Sequence, residues 1–259
     1  MINLKLKDAI YQIYSNQMVL DIDGHPIPLN SQVDEKEGNA IIQLLLKNPE
    51  IKDTIEIGFA MGLSAMHICA VTSMRSDSSH TIIDPYQTTN WKSIGISNLK
   101  RSEVSNFELI EKKSEIALPE LLGKGKKFDF GLIDGWHTFD HTLLDFFYLE
   151  KMIRPGGIIA IDDVMMPGIN KALRYILKYP NIELVSVVPF LQKGKMVKRD
   201  RFLNWLFKPI KLMLPIKYHP RVFSHKILQS DDDLNLYVSM VFLRKKFDDT
   251  RPWNWFKEF

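Results

Sequence analysis

The chain has 259 residues, 45% of them apolar and 25% charged, with a net charge of only +3 and one cysteine, Cys69. This is enough for one sizeable core plus appendages, and it excludes an internal disulfide and general polyanion binding. No uninterrupted apolar segment is long enough to span a bilayer, and the start MINLKLKDAI, broken by Lys5, Lys7 and Asp8, lacks an apolar signal core. A single cysteine fits a reducing compartment, so a cytoplasmic location is expected.

From Met1 to about Gly38 the chain is irregular. DAIYQIYSNQ has room for a short helix, and DIDGHPIPLN, with Gly24, Pro26 and Pro28 as breakers, is expected to be turn and loop. EKEGNAIIQLLL, from Glu35, has helical spacing of apolar residues. A regular alternation then begins. The expected strands are DTIEIG, HTIID, FELIEK, FDFGLID, GIIAID, IELVSVVP and, near the end, NLYVSMVFLRK. The expected helices between them are LSAMHICAVTSM, WKSIGISNLKRSEV, SEIALPELLGKG, HTFDHTLLDFFYLEKMI and GINKALRYILKY. Short apolar strands alternating with helices predict a doubly wound, mostly parallel, seven-stranded α/β sheet covered on both faces.

In such sheets ligands bind beyond the carboxyl ends of the strands. The residues there are Glu56 to Gly62, Asp84, Ser114, Asp134 to His137, and Asp162 with Asp163. EIGFAMGLS places Gly58 and Gly62 in a strand-to-helix turn, suited either to close approach of a nucleotide-type ligand or to a purely structural turn. It has neither the P-loop ending nor the GxGxxG spacing. Asp84 is placed to grip ribose hydroxyls or to cap a turn. His137 and His141 are one helical turn apart, but HTFDH lacks the glutamate of a zinc-binding HExxH. His137 is also placed to cap a helix starting near Thr138, and Trp136 to pack in the core. Asp140 and Asp145, further along, are expected to face solvent or other side chains.

The glycine turn, Asp84, DGWH and IDD together resemble the class I S-adenosylmethionine-dependent methyltransferases. They are most similar to the small-molecule O-methyltransferases related to catechol O-methyltransferase and to antibiotic- and sugar-modifying enzymes, over about residues 37–188. The resemblance implies that Glu56, Gly58, Gly62 and Ser64 lie against the methionine part of the cofactor. It implies that Asp84 binds ribose, that Ser114 and Glu115 reach the adenine and that Trp136 stacks on it. In the metal-dependent branch, acids at the positions of Asp134, Asp162 and Asp163 bind a divalent cation, so Mg²⁺, or else Mn²⁺ or Ca²⁺, is implied here. Two departures stand out: Asp163 replaces an asparagine, and His137 replaces a lysine that serves as general base. A histidine with an ordinary value near 6.5 takes a hydroxyl proton at neutral pH without the depression a lysine needs. Three close carboxylates repel one another unless one takes up a proton or a cation neutralises them. The expected activity is O-methylation of a small-molecule or glycan hydroxyl. The same fold without metal, with His137 alone as base, and a non-catalytic cofactor-binding accessory protein are the alternatives.

Past Pro189 the resemblance weakens. Residues 191–226 hold ten basic residues against Asp200, a balance of +9, which leaves −6 for the rest of the chain. Phe202, Leu203, Trp205, Leu206, Phe207, Ile210, Leu212, Met213 and Leu214 lie in the same stretch. Three readings are open: an interfacial membrane helix, a lid over the acceptor, or a packed appendage. Pro209 and Pro215 are expected to break any long amphipathic helix. Nucleic acid is not expected, since no binding motif accompanies the charge. Trp253, Trp255 and Phe256 are expected to dock on the body or on a neighbouring subunit of a homo-oligomer. The chain thus divides into an N-terminal cap at 1–38, a methyltransferase domain at 39–246 with an insert at about 191–232, and an aromatic tail at 247–259.

Overall fold

The computed structural model describes residues 1–30, 33–190, 193–215, 218–223, 230–234 and 236–259. After α1 (Leu4–Asn16), β1 (Met18–Leu20) and β2 (Pro26–Pro28) comes α2 (Glu35–Lys47). The alternation runs β3 (Asp53–Ile57), α3 (Leu63–Thr72), β4 (Ser79–Ile83), α4 (Ile94–Arg101), β5 (Phe107–Ile110) and α5 (Ser114–Gly123). It continues with β6 (Phe128–Ile133), α6 (Phe139–Met152), β7 (Ile153–Ile161), α7 (Pro167–Ile176) and β8 (Ile182–Pro189). Helices α8 (Lys193–Met213) and α9 (His219–Val222) precede the last strand, β9 (Val238–Lys245).

Strands β3 to β9 form one seven-stranded sheet in the order β5-β4-β3-β6-β7-β9-β8. Six strands point the same way, and β9, between β7 and β8, runs antiparallel to both. Side chains alternate between the two faces, as the period of a strand requires. Phe130 and Leu132 of β6, with Ile158 and Ala160 of β7, join α1, α2 and α3 in one core. Ile133, Ile159 and Ile161 face the other way, towards α5, α6 and α7.

The N-terminal segment is built into the first core. Leu6, Ile10 and Ile13 of α1 are buried, and the Asn3 N–H donates to Ala70 O of α3 at 2.7 Å. The stretch expected to be turn and loop is instead a small antiparallel hairpin, with Val19 opposite Ile27. Pro26 and Pro28 are tolerated there because this two-stranded ribbon leaves both strands as edges. Helix α2 opens with a capping box: Asp34 accepts from the Lys36 N–H at 2.8 Å, and Glu37 accepts from the Asp34 N–H at 2.7 Å.

The expectation that Pro209 breaks the insert is not met, because α8 runs through it. A proline forfeits one helix bond to the preceding turn; Trp205, four residues earlier, is solvent-exposed, so its carbonyl can turn to water. Lys217 and Lys226, and the side chains of Lys193, Lys195, Arg199, Leu203, Lys211 and Arg221, lie outside the described residues. The chain returning from the insert is pinned to α7 by buried Arg174, which pairs with Asp231. In the tail, Trp255 docks between Tyr175 and Tyr179 with Arg251 over its ring. Trp253 and Phe256 do not dock on the body; they are 98% and 67% exposed. No helix among the described residues is long and apolar enough to cross a membrane.

Candidate active site

The carboxyl ends of β3, β4, β6 and β7 open into one cavity of about 870 Å³. Beyond Ile57 the chain turns through Gly58, Ala60 and Gly62, with φ of +87°, +46° and +85°. At Gly58 the need for glycine is steric as well as conformational. A Cβ there would lie 2.0 Å from Asp134 O, so the bare backbone lets the ends of β3 and β6 touch.

Asp84 fastens this turn and does not line the cavity. Its Oδ2 accepts from the N–H of Phe59 (3.2 Å), the N–H of Ala60 (2.9 Å) and Nε2 of Gln87 (3.1 Å). Its Oδ1 accepts from the Tyr86 N–H at 2.8 Å. Three of these four bonds fall on Oδ2, so the carboxylate is held firmly through that oxygen. Gln87, buried and also donating to Ala60 O at 2.8 Å, is a turn support that the sequence reading passed over. No periodicity or motif marks it. Glu56 is likewise withdrawn: it is fully buried beside His80, whose Nε2 lies 3.3 Å away, and it does not line the cavity. In this placement the side chains of both acids lie behind the turn and β3, with Ile57, Ile83 and Pro85 beside them on the cavity wall.

Strands β6 and β7 pair in parallel with Ile133 opposite Ile161, which sets Asp134 beside Asp162. Asp163 follows with φ +53°, a left-handed conformation in which aspartate and asparagine are tolerated better than other side chains. This turn brings Asp163 Oδ2 to 3.1 Å from His137 Nε2, which is also 3.3 Å from Asp134 Oδ1. One imidazole thus bridges two carboxylates. Both hydrogen bonds push His137 up, to about 10, so the ring carries a proton at neutral pH. Burial pushes Asp134 up, to about 6, against the pull of His137. Asp162 is buried, accepts the Asp163 N–H at 2.8 Å, and stands outside the bridged group. Burial first, then the charges of Asp134 and Glu37, push Asp162 well above the usual carboxylate range. The repulsion foreseen among the three acids is eased by the His137 cation between Asp134 and Asp163. This differs from the neutral histidine base expected from the sequence, because that expectation used an isolated imidazole.

The helix cap here is Thr138 and not His137. His141 does not join His137 in a metal-type cluster among the described residues; it lies 6.4 Å from Trp136, ring to ring. Trp136 is no core residue. It is 61% exposed at the cavity wall, with Ser114 and Glu115 at the start of α5 and Ser64 in the first turn of α3 also lining it. Asp145 is buried under Gly135 and does not face solvent; burial pushes it up, to about 6.

A family model described as a methyltransferase domain matches residues 55–164, from β3 through the Asp162–Asp163 pair. Over 192 residues, 69% of this chain and 70% of the other, the sequence is 29% identical to a probable caffeoyl-CoA O-methyltransferase 3 of Dictyostelium discoideum. These matches support a class I S-adenosylmethionine-dependent methyltransferase, with the methyltransferase domain at residues 55–164. Solved structures share the fold of this chain. An O-methyltransferase from Bacillus cereus in complex with SAH is 17% identical, with a TM-score of 0.57 over 73% of this chain and 86% of that one. The O-methyltransferase TomG of Streptomyces achromogenes, involved in tomaymycin synthesis and in complex with SAM, is 16% identical, with a TM-score of 0.56 over 73% and 84%.

The residues present fit the methyl donor of such an enzyme. The cavity volume is in the range that encloses a ligand of its size. The exposed indole of Trp136 offers a flat face, and the acid-rich wall suits a sulfonium and an ammonium group. A divalent cation is tested by the chemistry of the donors. One oxygen each of Asp134 and Asp163 and one nitrogen of His137 lie within 4.8 Å of one another on a partly open wall. Two carboxylates and one imidazole suit a divalent ion, manganese better than magnesium because of the nitrogen.

Proposed function

We propose that this methyltransferase methylates a hydroxyl group of a small molecule or glycan at the Asp134–His137–Asp163 cluster, with a divalent cation held there. The observation that carries the reading is that this cluster opens into the same cavity as the glycine turn and Trp136. Gly58, Gly62 and Ser64 hold the methionine part of the donor, and Ser114, Glu115 and Trp136 hold its adenine. Asp84 and Glu56 act behind them, as supports of the turn and of β3. Asp134 and Asp163 would hold the cation, with the His137 nitrogen left free as the base, and the cation would supply a positive charge that acidifies the hydroxyl and offsets the two carboxylates.

The residues of the chain then do three things. The carboxylates orient the hydroxyl towards the donor methyl group, since in-line displacement needs mainly positioning. His137 Nε2, in the form in which its ring is neutral, takes the proton that leaves the hydroxyl as the methyl group moves from sulfur to oxygen. Trp91, Val188 and Phe190 supply an apolar wall across the cavity for the body of the acceptor. Relatives named as O-methyltransferases support a hydroxyl acceptor. The N-terminal segment, integral to the first core, serves as one wall of the acceptor region through Val33 and the start of α2.

The test is methyl transfer from labelled S-adenosylmethionine to a panel of catechols, polyols and sugar hydroxyls, with and without EDTA. Turnover restored by Mn²⁺ or Mg²⁺ after EDTA, and lost in Asp134→Asn and Asp163→Asn while S-adenosylhomocysteine still binds, is the expected result. Full activity in EDTA with Asp163→Asn silent removes the cation and leaves His137 as the sole base.

A further inference from the structure

Among its described side chains, helix α8 buries little apolar surface. Phe202, Trp205, Leu206, Ile210 and Met213 recur at intervals of three, four or their sums, which puts them on one face of an α-helix. All five are exposed, Trp205 by 69% and Met213 by 86%. The helix rests on the rest of the protein through other residues: the Phe207 ring meets Phe223 of the segment after α9 at 6.1 Å, and Arg201 pairs with Asp232 at 3.2 Å. The apolar stripe is therefore turned outward. Lys198 and Lys208, both exposed, lie on the same helix, within the stretch that carries +9 in a chain of net +3.

A contiguous exposed apolar stripe marks an interaction surface, and the charge decides among its occupants. A second copy meeting this face by two-fold symmetry would set one strongly basic segment against another. A lid closed over the acceptor would turn the stripe towards the cavity, whereas it faces solvent. An anionic lipid surface satisfies both features: the apolar face enters the boundary between headgroups and acyl chains, and the lysines meet lipid phosphates. Helix α8 also begins only three residues after Phe190, which lines the cavity, so docking along it sets the cavity near the lipid.

We propose that α8 docks the methyltransferase peripherally on an anionic lipid surface through Phe202, Trp205, Leu206, Ile210 and Met213, with Lys198 and Lys208 on lipid phosphates. The experiment is sedimentation of the full chain with vesicles of phosphatidylcholine alone and of phosphatidylcholine with phosphatidylserine. Binding to the mixed vesicles only, weakened by salt, is expected. Each basic residue near such a surface contributes about fivefold in affinity, so Lys198→Gln with Lys208→Gln lowers binding roughly 25-fold. Phe202→Ser with Trp205→Ser abolishes it. Both variants keep wild-type affinity for S-adenosylhomocysteine, because α8 is remote from the residues that line the donor half of the cavity. Absence of binding to the mixed vesicles, equal binding to neutral ones, or undiminished binding by the serine variant overturns the proposal. So does sedimentation velocity without vesicles that shows a wild-type dimer and a monomeric serine variant, which would assign the stripe to a second copy.

Discussion

Substituting Gly58 by alanine tests the contact on which the site is built. The added Cβ would lie 2.0 Å from Asp134 O, where ordinary contact begins near 3.4 Å, so β3 and β6 would have to part locally by about 1.4 Å. Two costs combine: about 1–2 kcal/mol for an L side chain at positive φ, and about 1–3 kcal/mol for overpacking. A destabilisation of roughly 2–5 kcal/mol is expected. Gly125→Ala separates the two, since Gly125 has φ +70° but nothing within 4 Å of an added Cβ. It should lose only the conformational part, about 1–2 kcal/mol. Urea unfolding of both variants measures the difference. Because the displaced carbonyl belongs to Asp134, turnover should fall by about 10²-fold in whatever fraction stays folded, as for other misplacements on the ångström scale. Equal urea midpoints for the two variants, with turnover unchanged in Gly58→Ala, would refute the idea that the turn is pressed against the β6 end.

Three further outcomes follow from the geometry. Trp136→Ala should weaken S-adenosylhomocysteine binding by about 1–3 kcal/mol, the usual worth of base stacking, and change stability by no more than about 0.5 kcal/mol because the indole is exposed; calorimetry and melting report the two. Asp84→Ala should lower stability by at least about 2 kcal/mol, since it strands four donors, two of them the N–H groups of Phe59 and Ala60; an unchanged urea midpoint with only cofactor affinity lost would instead restore the ribose contact. His137 has a folded value of about 10 against about 6.5 unfolded, so its pairing stabilises fully below about 6.5 and is lost as pH rises through about 10. In EDTA, the melting-temperature gap between wild type and His137→Gln should be open at about pH 6 and closed above about pH 10; a gap that widens with pH contradicts the bridge.

Periodicity alone carried the seven strands and the helices between them, because buried parallel strands and amphipathic helices leave their periods in the residues that face the core. It also placed Asp134, Trp136, His137, Asp162 and Asp163 at one end of the sheet, since chain direction decides where a parallel strand stops. The hairpin at Met18–Pro28 was illegible, as three-residue strands are too short to show a period. The run of α8 through Pro209 was illegible too, because the cost of a proline depends on whether the freed carbonyl reaches water. Tertiary structure alone decided what the acids do. Asp84 and Asp134 both end apolar strands, yet one spends its lone pairs on a neighbouring turn and the other faces the cavity. His137 next to three acids reads as an ordinary histidine until two carboxylates converge on one ring nitrogen. Phe59 reaches Asp84 from 25 residues away in the chain and Asp163 reaches His137 from 26, and only the folded sheet brings such pairs within 3 Å or so of one another.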